Sequence, residues 1–171
     1  METPAETPAF ARLTTLPSWL LGQSAMHSQR LIVDGLAAVG ARGYHYRLLA
    51  TLDETGPSSQ AALGRRSGIH LGDVVAALNE LAADGYVERA PDPGDRRRNV
   101  VTITPAGRAR LATLDARVAA VQDELLAPFS PAEREQLTGL LGRLLAHHGA
   151  VGVRGGLGGH GGGRRAEADG G

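Results

Sequence analysis

Three consecutive arginines, Arg96, Arg97 and Arg98, follow Asp92-Pro93-Gly94-Asp95 and form the densest positive charge in the chain. A guanidinium is permanently charged and carries its donors in a planar fork, so this group suits the holding of an anion rather than bond making. No reactive constellation accompanies it. There is no nucleophile elbow, no His-Glu-x-x-His pair, no P-loop and no pair of carboxylates in an evident cleft, so an enzyme is not expected. The absence of cysteine excludes disulfides, thiolate metal sites and thiol redox sensing within this chain. Six histidines invite a metal reading, but His147 and His148 are adjacent and point to different helix faces. His27 and His45 lack a companion at ligand spacing, so neither a metal nor a cofactor is expected. Gly156-Leu157-Gly158-Gly159-His160-Gly161 spells G-x-G-x-x-G, but it sits in a glycine-rich stretch with no strand before it and no helix after it. The fingerprint fails its context and is compositional.

The arginines need a platform. Tyr86 to Ala90 and Asn99 to Thr104 read as two extended runs, the second rich in β-branched residues, joined by a Pro/Asp/Gly turn. An isolated hairpin is marginal in water, so this one must lean on helices. A first helix is expected from Pro17 to about Val39, with Trp19, Met26 and Val33 seven apart on one stripe. A second runs from about Tyr44 to Asp53, with Leu48, Leu49 and Leu52 inward, and ends at Thr55-Gly56-Pro57. Ser59 is a natural N-cap for a short helix from Gln60 to Arg66, followed by a Ser67-Gly68 turn. The next helix, His70 to Asp84, places Val74, Leu78 and Leu81 on one face and Asp73, Ala76, Asn79 and Glu80 on the other, with Gly85 as its stop. After Thr104-Pro105-Ala106 a long helix reaches about Ala127, with Leu111, Leu114, Val118, Val121 and Leu125 on one face. Ser130-Pro131-Ala132-Glu133 is a capping box that starts a final helix to about His148, striped by Leu137, Leu140, Leu141, Leu144 and Leu145.

Helix, short turn, helix, then ribbon is a winged helix-turn-helix order. The expected fold is mainly α with a small β-wing, flanked by long N- and C-terminal dimerisation helices. Residues 1–15 read as a disordered arm, 16–148 as the domain with its DNA-binding lobe at about 44–107, and 149–171 as a flexible glycine-rich tail. The outer helices carry more apolar face than so small a core can cover, which predicts a homodimer. Formal net charge is zero, and all 18 basic residues are arginine. Charge is nonetheless uneven: residues 58–111 hold eight arginines against six acids, whereas 112–150 hold three against five. No apolar run approaches the ~18 residues of a membrane span, and the acidic start is no signal peptide, so a soluble cytoplasmic protein is expected.

Asp92 to Arg98, followed by Val101, Thr104 and Gly107, together with Leu81 to Arg89 (LAADGYVER), resembles the wing and the end of the reading helix in the MarR family of regulators. The resemblance covers roughly residues 16–148. It implies a dimeric transcriptional regulator, most simply a repressor, on pseudo-palindromic promoter DNA, released by a small ligand. It also implies that Asp95 holds Arg97 for insertion into a narrow minor groove, while Arg96 and Arg98 contact phosphates. His70, Asp73 and Asn79 would then face the major groove, with Ser59, Arg65 and Arg66 on or beside the preceding helix near the DNA backbone. This chain departs from the pattern at Leu71, Gly72, Val75 and Ala76, where many members carry Ser, Thr or Arg. A rival reading is therefore a ligand-binding or protein-interaction module that kept the fold and lost base recognition. For the effector, the resemblance points to Trp19, His27, Tyr44, His45 and Arg47, a set suited to an aromatic or phenolic acid.

Overall fold

The computed structural model describes residues 12–92, 94 and 99–148; Asp95 to Arg98, most of the expected arm and the whole glycine-rich tail lie outside them. The described chain runs α1 (Pro17–Ala37), α2 (Gly43–Thr55), β1 (Ser58–Ser59), α3 (Gln60–Ser67), α4 (Leu71–Ala83), β2 (Val87–Pro91), β3 (Asn99–Ile103), α5 (Pro105–Leu125) and α6 (Pro131–His148).

Local sequence explains most of the boundaries. The Ser59 hydroxyl accepts from Ala62 N–H at 3.2 Å, capping α3, and Gly68 ends that helix in the left-handed region. Gly85, at φ 74°, ends α4: its N–H reaches Ala82 O at 3.0 Å and the Tyr86 N–H reaches Leu81 O at 2.8 Å. That paired closure satisfies two of the carbonyls a helix end leaves bare. At α6 the predicted capping box forms, with Glu133 Oε2 accepting from both Ser130 N–H (2.8 Å) and Ser130 Oγ (2.7 Å). Those two bonds hold the Glu133 carboxyl below the ordinary glutamate value.

β2 and β3 pair antiparallel with Val87 opposite Ile103, Arg89 opposite Val101 and Pro91 opposite Asn99. The period-2 alternation of the second run puts Val101 and Ile103 into the core. One element was not anticipated. Ser58 and Ser59 pair with Val101 and Val100, making a third strand and a sheet of order β1-β3-β2. The core beneath the sheet is aliphatic: Leu48, Leu49 and Leu52 of α2, Leu63 of α3, and Val74, Leu78 and Leu81 of α4, closed by Leu111 and Leu114.

The outer helices behave differently. α1 packs on α5 through Ile32, Gly35 and Leu36, with Leu114 and Val121 buried on the α5 side. Two arginines of α5 secure this contact: Arg117 Nε donates to Gly35 O at 3.0 Å and Arg110 donates to Val39 O. Cationic donors at the carbonyl end of a helix satisfy its bare acceptors and its dipole together. The seven-spaced stripe of α1 is not the face packed inside this chain. Met26 is 68% exposed and Val33 44%, while Trp19 is half-buried. On α6 no residue is buried, and Leu140, Leu141, Leu144 and Leu145 stand in solvent. No helix among the described residues is long and apolar enough to cross a membrane.

Candidate nucleic-acid interface and the cleft behind it

α3 and α4 are joined by a tight turn, and α4 is the second helix of the pair, followed directly by the β2–β3 hairpin. Val74, Ala77, Leu78 and Leu81 pin α4 to the core. Leu71, Gly72, Asp73, Val75, Ala76 and Asn79 remain exposed on its other side. His70 occupies the N-cap of α4 and is exposed, with no side-chain capping bond. Asp73 does not stand alone: the Tyr44 hydroxyl donates to its Oδ2 at 3.4 Å. Burial first, then the neighbouring Asp73 carboxylate, raises the Tyr44 hydroxyl above its ordinary value, so it stays protonated and donating across the neutral range.

Beside α4, Ser59, Gln60, Ala61, Arg65 and Asn99 line a surface groove of about 450 Å³. It joins the start of α3 to Asn99, where the hairpin's second strand leaves the turn. Arg65 is exposed there. Arg66 donates to Ser58 Oγ at 2.9 Å, which ties α3 to β1 and leaves further guanidinium donors outward. Asn99, which sequence reasoning passed over, joins this groove because strand pairing brings residue 99 back past α3. No short-range spacing announces it.

The five residues suggested for an effector are not brought together. Trp19 and His27 lie on the first half of α1, and His27 is exposed. Arg47 donates to the Ser67 carbonyl at the end of α3, so its charge serves a helix terminus. Tyr44 is committed to Asp73. Only His45 of the five lines the cleft of about 480 Å³ formed by Ala37, Gly40, Ala41, Arg42, His45, Glu80, Ala83 and Asp84. In that cleft Arg42 N–H donates to His45 Nδ1 at 3.4 Å, which leaves Nε2 to donate to Glu80 Oε2 at 2.9 Å. Arg42 reaches the other Glu80 oxygen at 2.9 Å. One carboxylate thus joins the start of α2 to the far half of α4. The pair with Arg42 is largely exposed and worth little by itself. Among the described residues no group of three or more His, Cys, Asp or Glu side chains could hold a metal ion.

A helix-turn-helix followed by an antiparallel ribbon and framed by two long helices defines a winged-helix regulator fold. The family model for the MarR family matches residues 40–98. A solved structure titled as a probable transcriptional regulator from Pseudomonas aeruginosa is 34% identical, with a TM-score of 0.67, over 78% of this chain and 99% of that one. The chain belongs to the MarR family. The repressor NicR of Pseudomonas putida is 29% identical over 57% of this chain and 61% of NicR. This chain spans about 60% of the length of the curated relatives it matches. BpsR of Bordetella bronchiseptica, whose DNA binding is regulated by 6-hydroxynicotinic acid, shares the fold at 21% identity and a TM-score of 0.66, over 77% of this chain and 94% of that one.

Proposed function

We propose that this protein is a cytoplasmic, homodimeric transcriptional repressor that binds a pseudo-palindromic promoter site and releases it when a small aromatic or phenolic effector binds. The observation that carries the reading is the placement of α4: its inner face is locked into the core, its outer face is bare, and the hairpin bearing the Arg96-Arg97-Arg98 sequence follows it directly. A helix held that way fits a major groove, and an arginine-bearing ribbon beside it reaches the adjoining backbone or minor groove. Ser59, Arg65, Arg66, His70 and Asn79 are the remaining contacts we assign to DNA, with Asp95 orienting Arg97. Two such lobes, related by a twofold axis, would address half-sites about 34 Å apart. The repressor NicR and the ligand-regulated BpsR support the output and the effector class by likeness.

We assign the effector to the seam of α1, α2 and α4, a reading supported by the cleft in which Glu80 ties α4 to His45 and Arg42. A ligand that competes for either partner would favour a lobe position in which the two reading helices no longer match their half-sites, a population shift.

The test is fluorescence anisotropy on the DNA upstream of the protein's own gene, with excess nonspecific competitor. Saturable binding is expected, and Arg97→Ala should weaken it by ~1–3 kcal/mol. Failure to bind that fragment, followed by failure of a genome-wide fragment selection to return any motif, would sink the regulator reading. The apolar outer face of α4 would then favour the protein-interaction module.

A further inference from the structure

The outer face of α4 has an unusual chemistry for a reading helix. Leu71 is 55% exposed and Val75 37% exposed, one turn apart on a single line that Asn79 continues. Gly72 and Ala76 form the adjacent line. The helix carries no Lys or Arg at all. Both of its acids are hydrogen-bonded by other side chains, the exposed Asp73 by the Tyr44 hydroxyl and the half-buried Glu80 by Arg42 and His45. What the first half of α4 offers outward is therefore two branched aliphatic side chains, two tiny residues, one amide and a single carboxylate held by Tyr44.

Positive charge flanks this helix in the sequence. Arg65 and Arg66 close α3 just before it, and Arg96-Arg97-Arg98 follow the next strand. An apolar strip framed by cations is complementary to an apolar strip framed by phosphates. On the floor of the major groove the apolar group at a base edge is the C5 methyl of thymine. Gly72 and Ala76 add to the fit, because side chains of that size let the helix sit close to the base edges, within reach of branched aliphatics only two or three carbons long.

We propose that Leu71 and Val75 are specificity-determining residues that read thymine through its C5 methyl. The half-site is then recognised mainly by methyl position and DNA shape, with Asn79 supplying the one direct hydrogen-bonding contact to a base from this helix. This rests on the DNA-binding reading above, and it removes the main objection to that reading, the missing polar side chains.

The test begins with changes to the DNA alone. Once a bound operator has been selected, each thymine in the half-sites is replaced singly by deoxyuridine, which deletes the methyl and keeps every hydrogen-bonding group. Losing one contacted methyl is expected to weaken binding about three- to fivefold per half-site, at one or two positions in each. Val75→Ala and Leu71→Ala proteins should each lose the thymine-over-uracil preference at one position, with affinity for the thymine operator falling by a similar factor. Equal affinity for thymine and uracil operators at every position would overturn the proposal and leave the regulator standing. Absence of any selected operator would overturn both. Discrimination that persists unchanged in both alanine variants would assign the methyl readout to other residues and overturn it as well.

Discussion

Leu141→Glu/Leu145→Glu is expected to yield a folded but monomeric protein, with the dimer dissociation constant raised at least a thousandfold. Both leucines belong to a helix with no buried residue, yet their neighbours Leu140 and Leu144 are equally bare. Full burial of one leucine is worth about 1.5–3 kcal/mol, so a stripe of this kind, doubled by symmetry, can offset the entropy lost on association. The exposed stripe of α1 adds Met26 and Val33, as well as Leu20 and Leu21, to the same unspent apolar surface. An apolar face of this extent is the kind that protein–protein interfaces cover. Two glutamates would remove part of the gain and strand carboxylates in an apolar seam, at several kcal/mol per ion. About 4 kcal/mol in total gives the thousandfold shift.

The winged lobe should survive, because Leu48, Leu49, Leu63, Leu78 and Val101 are fully buried within one chain. Sedimentation velocity at micromolar concentration, with circular dichroism on the same samples, reads both quantities. A wild-type chain that sediments as a monomer would refute the dimer, and so would a double variant that sediments with an unchanged dimer fraction. DNA affinity should fall with the dimer, since each half-site then has to be bound independently.

What was legible in the sequence was whatever is written within a few residues. The Ser59 cap, the Gly85 stop and the Ser130–Glu133 box are local hydrogen-bond devices, and each forms where the residue types stand. The inward faces of α2 and α4 followed from helical period alone. The misses are all non-local. Strand β1 is two serines long and has no strand-like composition; it exists because Val100 and Val101 pass beside it. Glu80 looked like one more outward charge on α4, yet it meets His45 across 35 positions of sequence, and nothing in its spacing signals that. On α1 the heptad-like stripe drew the eye, while the face packed on α5 is the one that brings Gly35 under Val121 and Arg117. Small residues that permit close approach are silent in a hydrophobic pattern. Among the effector candidates, Arg47 serves a helix terminus and Tyr44 an acid, roles that depend on partners 20 and 29 residues away.

The same silence surrounds Gly107, and here it makes a sharp prediction. Gly107→Ala should destabilise the protein by about 2–4 kcal/mol, whereas Gly72→Ala should stabilise it by about 0.5–1 kcal/mol, although both glycines are helical and neither needs a positive φ. In a helix, alanine is normally favoured because glycine loses more backbone freedom on folding. At Gly72 nothing lies within 4 Å of an added Cβ, so only that gain operates. At Gly107 the Cβ would sit 2.0 Å from the Tyr86 carbonyl oxygen and 2.8 Å from Ile103 Cγ1. The oxygen cannot yield cheaply, because it belongs to the backbone and accepts the Thr104 N–H at 3.0 Å. Thr104 in turn caps α5 by accepting from Gly107 N–H at 3.0 Å and donates to Gly85 O at 2.7 Å, so the end of α4, the root of the hairpin and the start of α5 share one knot of bonds. Making room for a methyl group means opening that knot or moving Ile103 out of the core. Overpacking of this kind costs about 1–3 kcal/mol, and a hydrogen bond lost from the knot adds about 1 kcal/mol. Urea unfolding of the two variants beside wild type measures both signs, and two alanines that shift the midpoint in the same direction would show that the close approach at Gly107 does not hold in solution. The root of the wing is fixed by that approach, so Gly107→Ala should also reduce DNA affinity at temperatures where the variant is still folded, while Gly72→Ala adds only a methyl group to the exposed face of α4.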